Sequence, residues 1–218
     1  EGDKIALIST ARKISFDELQ LAIECIKSWG LDLELGEHLF NSHHQFSGKD
    51  DERTKDLQSM LNNPEIKAIL CVRGGYGTVR IIDNIDFSQF QKTPKWLAGF
   101  SDITVLHSHI HKLNVATLHS TMPISFSVNT SESIRSLKDA LLGKHLRIEI
   151  DHHPLNRFGE VKGQVVGGNL SILYSLMGSP SDLNTDGKIL FIGSNGKLSK
   201  VISHNQKLPF IFGSPDIN

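Results

Sequence analysis

The sequence predicts an α/β protein: a parallel sheet with helices on both faces over residues 1–145, a linker over 146–159, and a smaller α/β domain over 160–218. Three observations lead there. Through residue 143, short apolar runs alternate with segments of helical period, as expected of strands joined by crossover helices. Ala68 to Val72 is continuously apolar, as a central parallel strand buried on both faces requires. After Gly143 the texture changes to short strand-like pieces separated by turns.

The elements follow in order. Lys4 to Ser9 reads as a buried strand. Ser15 and Glu18 form a capping-box pattern, and Leu19, Ala22, Ile23 and Ile26 keep helical spacing behind it, with Gly30 suited to the helix end. Leu31 to Leu35 alternates as a short strand, His43 to Gly48 is a polar loop, and Asp50 to Leu61 is a helix stopped by Asn62-Asn63-Pro64. Thr78 to Ile85 reads as helical, Trp96 to Phe100 as a strand, Ile103 to Leu113 as a helix, Val115 to Leu118 as a strand, and Ser131 to Leu142 as a helix. Farther on, strands are expected at His145 to Ile150, Gly159 to Val166, Lys188 to Ile192 and Leu208 to Phe212. Asp151 to Pro154 reads as a turn. Gly167-Gly168-Asn169 is expected to open a helix from Leu170 to Met177, closed by Gly178-Ser179-Pro180. No internal repeat or low-complexity segment stands out.

With 218 residues, 39% hydrophobic and 22% charged, the chain has enough apolar mass for a large core. A net charge of −1 without basic clusters speaks against nucleic acid as a partner. No apolar run approaches the roughly 18 residues that span a bilayer, so no membrane partner is expected. Glu1-Gly2-Asp3-Lys4 leads straight into a strand, so no signal peptide is expected either. Cys25 and Cys71 lie on apolar faces and read as buried thiols of a cytoplasmic protein.

Two strand ends carry chemistry. In Gly99-Phe100-Ser101-Asp102 the serine sits between a strand and a helix, where a sharp turn lifts its hydroxyl above the sheet and turns the Asp102 N–H toward the same space. The elbow pattern G-x-S-x-G is incomplete, because Ile103 occupies the last position. Ser101 and Asp102 are equally plain as helix caps, so both readings stand on local sequence. In Arg73-Gly74-Gly75-Tyr76-Gly77 the glycines allow close backbone approach, and their N–H groups can form an anion nest or oxyanion hole. A tight turn with no ligand fits the same residues. Arg73 can pair with a substrate carboxylate. His107 and His111 share a helix face at i,i+4 spacing, which could chelate zinc. No acidic or cysteine ligand stands nearby, so a polar helix face is favoured and no metal is expected.

Taken together, the segments resemble the LD-carboxypeptidase family of serine peptidases. Gly2-Asp3 before the first strand, Arg73-Gly74-Gly75-Tyr76-Gly77, Gly99-Phe100-Ser101-Asp102-Ile103-Thr104, Leu118-His119 with Met122, and Gly163 to Leu170 followed by Gly178-Ser179-Pro180 fall in the family's order. The resemblance implies a flavodoxin-like N-terminal sheet carrying Ser101 as nucleophile. It implies an oxyanion hole from the N–H groups of Asp102 and of Gly74 or Gly75, and a substrate site lined by Arg73, Tyr76 and His119. It further implies no cofactor, cytoplasmic murein recycling, a homodimer, and cleavage of the amide to a terminal D-amino acid in muropeptides. Two rival readings stand beside it: a hydrolase of the same family acting on a peptide-nucleotide antibiotic, and a catalytically dead protein that binds a muropeptide without turnover.

The chain departs from the family in two places. His119-Ser120-Thr121-Met122 stands where the family has H-G-P-M. The family's Ser-His-Glu triad takes its acid and base from the C-terminal domain, but here Phe191-Ile192-Gly193-Ser194 stands at the acidic position and Gly213-Ser214 at the histidine segment. The two places, Ile192–Ser194 and Gly213–Ser214, are therefore expected to be where longer family loops are missing from the sequence.

Overall fold

The computed structural model describes residues 2–149, 153–157, 159–193 and the backbone of 210–212. Its strands are β1 (Lys4–Ile8), β2 (Asp32–Leu35), β3 (Ile66–Cys71), β4 (Trp96–Gly99), β5 (Thr117–His119), β6 (Val165–Asn169), β7 (Ile189–Gly193) and β8 (Phe210–Phe212). Its helices are α1 (Phe16–Lys27), α2 (Asp50–Asn62), α3 (Ser88–Lys92), α4 (Thr104–His111), α5 (Ser131–Leu141) and α6 (Leu170–Leu176).

The main sheet runs β2-β1-β3-β4-β5-β8. Its first five strands are parallel, and β8 lies antiparallel to β5 at the edge. Alternation of side chains along the strands builds two cores. Ile5 and Leu7 face Leu19, Ala22, Ile23 and Ile26 of α1 and Leu137 and Ala140 of α5. Ala6 and Ile8 face Leu57, Met60 and Leu61 of α2 and Val105, Leu106 and Ile110 of α4. The period of two along the strands and the helical period along the helices thus match across each layer. The order 2-1-3-4-5 makes the fold a doubly wound, flavodoxin-like α/β sheet, whose ligand crevice lies at the carboxyl ends of the strands.

Local signals act where expected in this half. Ser15 Oγ accepts from the Glu18 N–H at 3.3 Å, and Glu18 Oε2 takes the Ser15 N–H at 2.8 Å, which closes the capping box of α1. Gly30 adopts φ +78°, the left-handed state that ends the helix. Among the described residues no helix is long and apolar enough to cross a membrane.

Four expectations need correction. Thr78 to Ile85 is two 3₁₀ turns, Thr78–Arg80 and Ile82–Asn84, because its amides bond three residues back, Ile81 to the Thr78 carbonyl at 3.1 Å and Asn84 to the Ile81 carbonyl at 3.0 Å. No strand forms over His145 to Glu149; Ile150 lies outside the described residues, as do Asp151 and His152 of the expected turn. The strand expected from Gly159 begins only at Val165, where β7 supplies a partner, and it runs on through Gly167-Gly168-Asn169. Gly167 belongs to it because a Cβ there would lie 1.8 Å from the Phe191 carbonyl oxygen, so only glycine lets the two strands approach. Finally, Cys71 is buried but Cys25 only partly so.

The β6–β7 pair is parallel and forms a second, smaller sheet. With α6 it packs on α4, the helix that follows Ser101. Thr104 Oγ1 accepts the Asn169 N–H at 2.9 Å, and Ser108 Oγ donates to the Ser181 carbonyl at 2.6 Å.

Candidate active site

At the end of β4 the chain turns sharply. Phe100 is extended, and Ser101 then adopts φ +62° before a 3₁₀ turn over Ser101–Ile103 leads into α4. A left-handed serine costs about 1 kcal/mol or more, and such strain collects at functional sites. Ile103 fits in place of the elbow's second glycine because of the first one: a Cβ on Gly99 would lie 2.8 Å from Ile103 Cγ1. The missing side chain at Gly99 is filled by the branched one at Ile103.

The glycine turn after β3 comes against this elbow. A Cβ built on Gly74 would lie 3.3 Å from Ser101 Cβ, 3.3 Å from Met122 Cε and 3.5 Å from the Asp102 nitrogen. The Gly74 backbone, the serine and the Asp102 amide therefore share one small space, to which Gly75 is next in the chain. Gly75 has φ +116°, and a Cβ there would strike Arg12 Cδ at 2.6 Å.

The other predicted site residues are spread around this centre. Arg73 donates through Nη1 to the Lys13 carbonyl at 3.0 Å and lies 3.5 Å from Glu18, so it borders the turn already partly engaged. Tyr76 is 45% exposed, its ring 6.1 Å from that of Phe46. His119, at the end of β5, is only 4% exposed and packs against the rings of Phe100 and Phe191 at 6.2 and 5.0 Å. Burial pushes its pKa down to about 3, so at neutral pH it is uncharged.

The helix histidines do not share a polar face. His107 is buried, with Nε2 2.9 Å from the Gly99 carbonyl and Nδ1 2.7 Å from Thr117 Oγ1. A carbonyl only accepts, so Nε2 carries the proton and Nδ1 accepts from the threonine. Burial lowers the His107 pKa to about 4, and the neutral ring ties the end of β4 to β5. His109 instead meets Ser181 Oγ at 2.9 Å and stacks near Phe87. In the departure from H-G-P-M, the Ser120 N–H donates to the Gly99 carbonyl and Thr121 Oγ1 bonds Asn129.

Sequence reasoning passed over three residues under the elbow. Arg53 is fully buried on α2, Thr10 follows β1, and Thr78 starts the turn after the glycines. Arg53 had left a trace: it sits four residues before Leu57 on the apolar stripe of its helix, where a charge is out of place. The positions expected for the acid and base fall at Gly193, which ends β7, and at residues 194 and 213–218, which lie outside the described residues, as do Ser194 and Gly213–Ser214 of the two expected gaps.

A left-handed serine at a strand–helix junction, with a glycine turn against it, places the chain among doubly wound α/β proteins with a sharp strand-end elbow. Residues 5–120 match the LD-carboxypeptidase N-terminal domain and residues 162–205 match the LD-carboxypeptidase C-terminal domain. The chain belongs to the LD-carboxypeptidase family. It is 37% identical over 199 residues to the probable murein peptide carboxypeptidase of Bacillus subtilis (strain 168), an alignment covering 88% of this chain and 62% of that protein. Among solved structures it resembles the muramoyltetrapeptide carboxypeptidase of Oxalobacter formigenes, with TM-score 0.80 and 25% identity over 88% of this chain and 65% of that one. The microcin C7 self-immunity protein MccF, solved with aspartyl sulfamoyl adenosine, shares the fold with TM-score 0.77 and 22% identity, over 88% of this chain and 68% of that one.

Proposed function

We propose that this protein is a serine-type L,D-carboxypeptidase that releases the terminal D-amino acid of a cell-wall muropeptide. The observation that carries this reading is the contact between Gly74 and the left-handed Ser101. It supports the reading because backbone N–H groups near both strand ends could then serve one oxyanion. Ser101 Oγ attacks the carbonyl carbon of the scissile amide. The N–H groups of Asp102 and of Gly74 or Gly75 hold the oxyanion. Arg73 and Tyr76 border the substrate, and Arg73 faces its terminal carboxylate. The serine proton passes to a base and then to the leaving amine, which departs as a D-amino acid; water then cleaves the acyl-serine. By family resemblance the base and its acidic partner come from the C-terminal domain, over residues 160–218. The same resemblance carries a cytoplasmic murein-recycling role and a homodimer, which light scattering of the purified protein tests.

The experiment measures D-alanine release from a murein tetrapeptide, together with binding of that peptide by calorimetry. We expect turnover by the native chain, and at least a 10³-fold loss in Ser101→Ala with binding retained. Binding without turnover, unaltered by Ser101→Ala, overturns the reading in favour of a muropeptide-binding protein, a role that the glycine at the end of β7 favours. Preferential hydrolysis of an aminoacyl sulfamoyl nucleotide moves the substrate to the antibiotic class, the ligand class of MccF.

A further inference from the structure

Beneath the elbow, a single peptide group is held from both sides by opposite charges. The Gly77 carbonyl accepts from Arg53 Nη1 at 3.1 Å, and the N–H of the same peptide, on Thr78, donates to Asp102 Oδ2 at 2.9 Å. Arg53 and Asp102 are each only 1% exposed. The same Arg53 nitrogen donates to the Thr10 carbonyl at 2.6 Å, and Thr10 Oγ1 lies 2.8 Å from Thr78 Oγ1. The loop after β1, the glycine turn after β3 and the elbow after β4 therefore converge on the Gly77–Thr78 peptide. At the far side of Arg53, Asp50 bonds its Nη2 and also takes Arg80 Nε and Nη2, so the guanidinium is anchored before it reaches inward.

The geometry selects one peptide orientation. The carbonyl points at the cation and the N–H at the anion, so the peptide dipole is favourable at both ends. Flipping the peptide would aim the carbonyl at the carboxylate and the N–H at the guanidinium. Gly77 makes the approach possible: it has φ +145°, and a Cβ there would lie 2.6 Å from Arg53 Nη1. Asp102 Oδ1 has no hydrogen-bond partner among the described residues, so the hold of this carboxylate is concentrated on Thr78.

We propose that Arg53 and the Asp102 carboxylate are positioning residues that act through the Gly77–Thr78 peptide. Together they fix the glycine turn against Ser101 and set the spacing between the two halves of the oxyanion hole. Asp102 then serves twice, with its main chain in the hole and its side chain holding the opposite wall. The consequence for the oxyanion hole rests on the hydrolase reading above; the clamp itself does not.

The test uses Arg53→Met, Arg53→Lys and Asp102→Asn in the full chain, with two readouts. The first is the rate at which a fluorophosphonate phosphonylates Ser101 Oγ, with fluoride leaving and the phosphoryl oxygen seated where the oxyanion would be. We expect Arg53→Met and Asp102→Asn to slow the maximal rate about ten- to a hundredfold, as misplacement of reacting groups does, with the half-saturating concentration nearly unchanged. Arg53→Lys should regain most of the rate. A single ammonium can hold two carbonyls, as Lys95 Nζ holds those of Met60 and Asn63 at 3.0 and 2.5 Å. Variants that fold and react at the wild-type rate overturn the proposal. The second readout is hydrogen exchange at the Thr78 amide of the native chain by NMR. Slow exchange that speeds up in Asp102→Asn, whose neutral amide oxygen accepts more weakly than a carboxylate, supports the clamp, and fast exchange in the native chain overturns it even if every variant fails to fold. A native chain that resists phosphonylation while Thr78 stays protected overturns the hydrolase reading and supports the clamp alone.

Discussion

In the five-stranded parallel sheet, β1, β3 and β4 are covered by helices on both faces, whereas the β6–β7 pair leans on α4 and leaves Leu170, Tyr174, Met177 and Leu190 open to solvent. The polar groups that the first region buries include His107 on the Gly99 carbonyl, and Arg53 and Asp102 on the Gly77–Thr78 peptide. The second attaches to α4 through Leu176 and Ile172, which pack with Val105, Leu106 and Ile110, and through polar contacts such as Thr104 with Asn169 and Ser108 with Ser181. The difference locates preorganisation. The serine and the proposed oxyanion donors lie in turns at the strand ends of the larger sheet, while the smaller sheet is docked on α4, the helix that follows Ser101.

Four perturbations test that contrast, in falling order of effect. The largest concerns the buried base of the first region. The folded His107 pKa is about 4 against an ordinary value of 6.5, so between those pH values the unfolded chain binds a proton that the folded chain refuses. Stability is therefore full above pH 6.5 and falls as pH drops toward 4, by about 3 kcal/mol from this residue. His119, lowered to about 3, acts in the same direction. Urea titrations across that range should show a shallower pH slope in His107→Gln than in the native chain; equal slopes would mean that His107 is not held neutral.

Next comes the docking of the second region. Gly168 has φ +144°, and a Cβ there would lie 2.5 Å from Thr104 Oγ1. Gly168→Ala should lower stability by about 2 kcal/mol in chemical denaturation, from backbone strain and displacement of Thr104. An unchanged midpoint would mean that β6 is not seated on α4. Thr104→Val removes the acceptor for the Asn169 N–H while keeping the side-chain shape, and should cost about 1 kcal/mol by the same measurement. The smallest effect is expected on the solvent side of α6, where Tyr174 and Met177 are 76% and 68% exposed. Tyr174→Ser and Met177→Ser should shift stability by less than about 0.5 kcal/mol. A loss above 1 kcal/mol in either would show that this face is covered, and that the two regions are less different than described.

Much of the first region was legible because its signals are local and repeated. Alternating strand side chains, the stripe of Leu19, Ala22, Ile23 and Ile26, and the Ser15–Glu18 box each specify an element within a dozen residues. The second region was read less well for the same reason. Gly167 and Gly168 look like a helix opening when met alone, and become strand residues only because distant β7 pairs with them, Phe191 excluding a side chain at Gly167 and Thr104 one at Gly168. His107 shows the same limit: its helical spacing from His111 suggests a shared polar face, but the strand ends beneath it supply Gly99 and Thr117 and draw it into the core.

By itself, then, the sequence determined the α/β architecture, the strand-end placement of Ser101 and the glycine turn, and the family to which their order belongs. These follow from periodicity and short motifs, which act over one or two turns of chain. Only the tertiary structure decided that Gly74 lies against Ser101, and that Arg53 and Asp102 hold one peptide between them. Those contacts join residues 24 to 27 positions apart, on helix α2 and two strand-end turns that meet only because the strand order brings them together. A buried charge can show as a break in an apolar stripe, as Arg53 does, but its partner is chosen by whichever backbone group the fold leaves facing it.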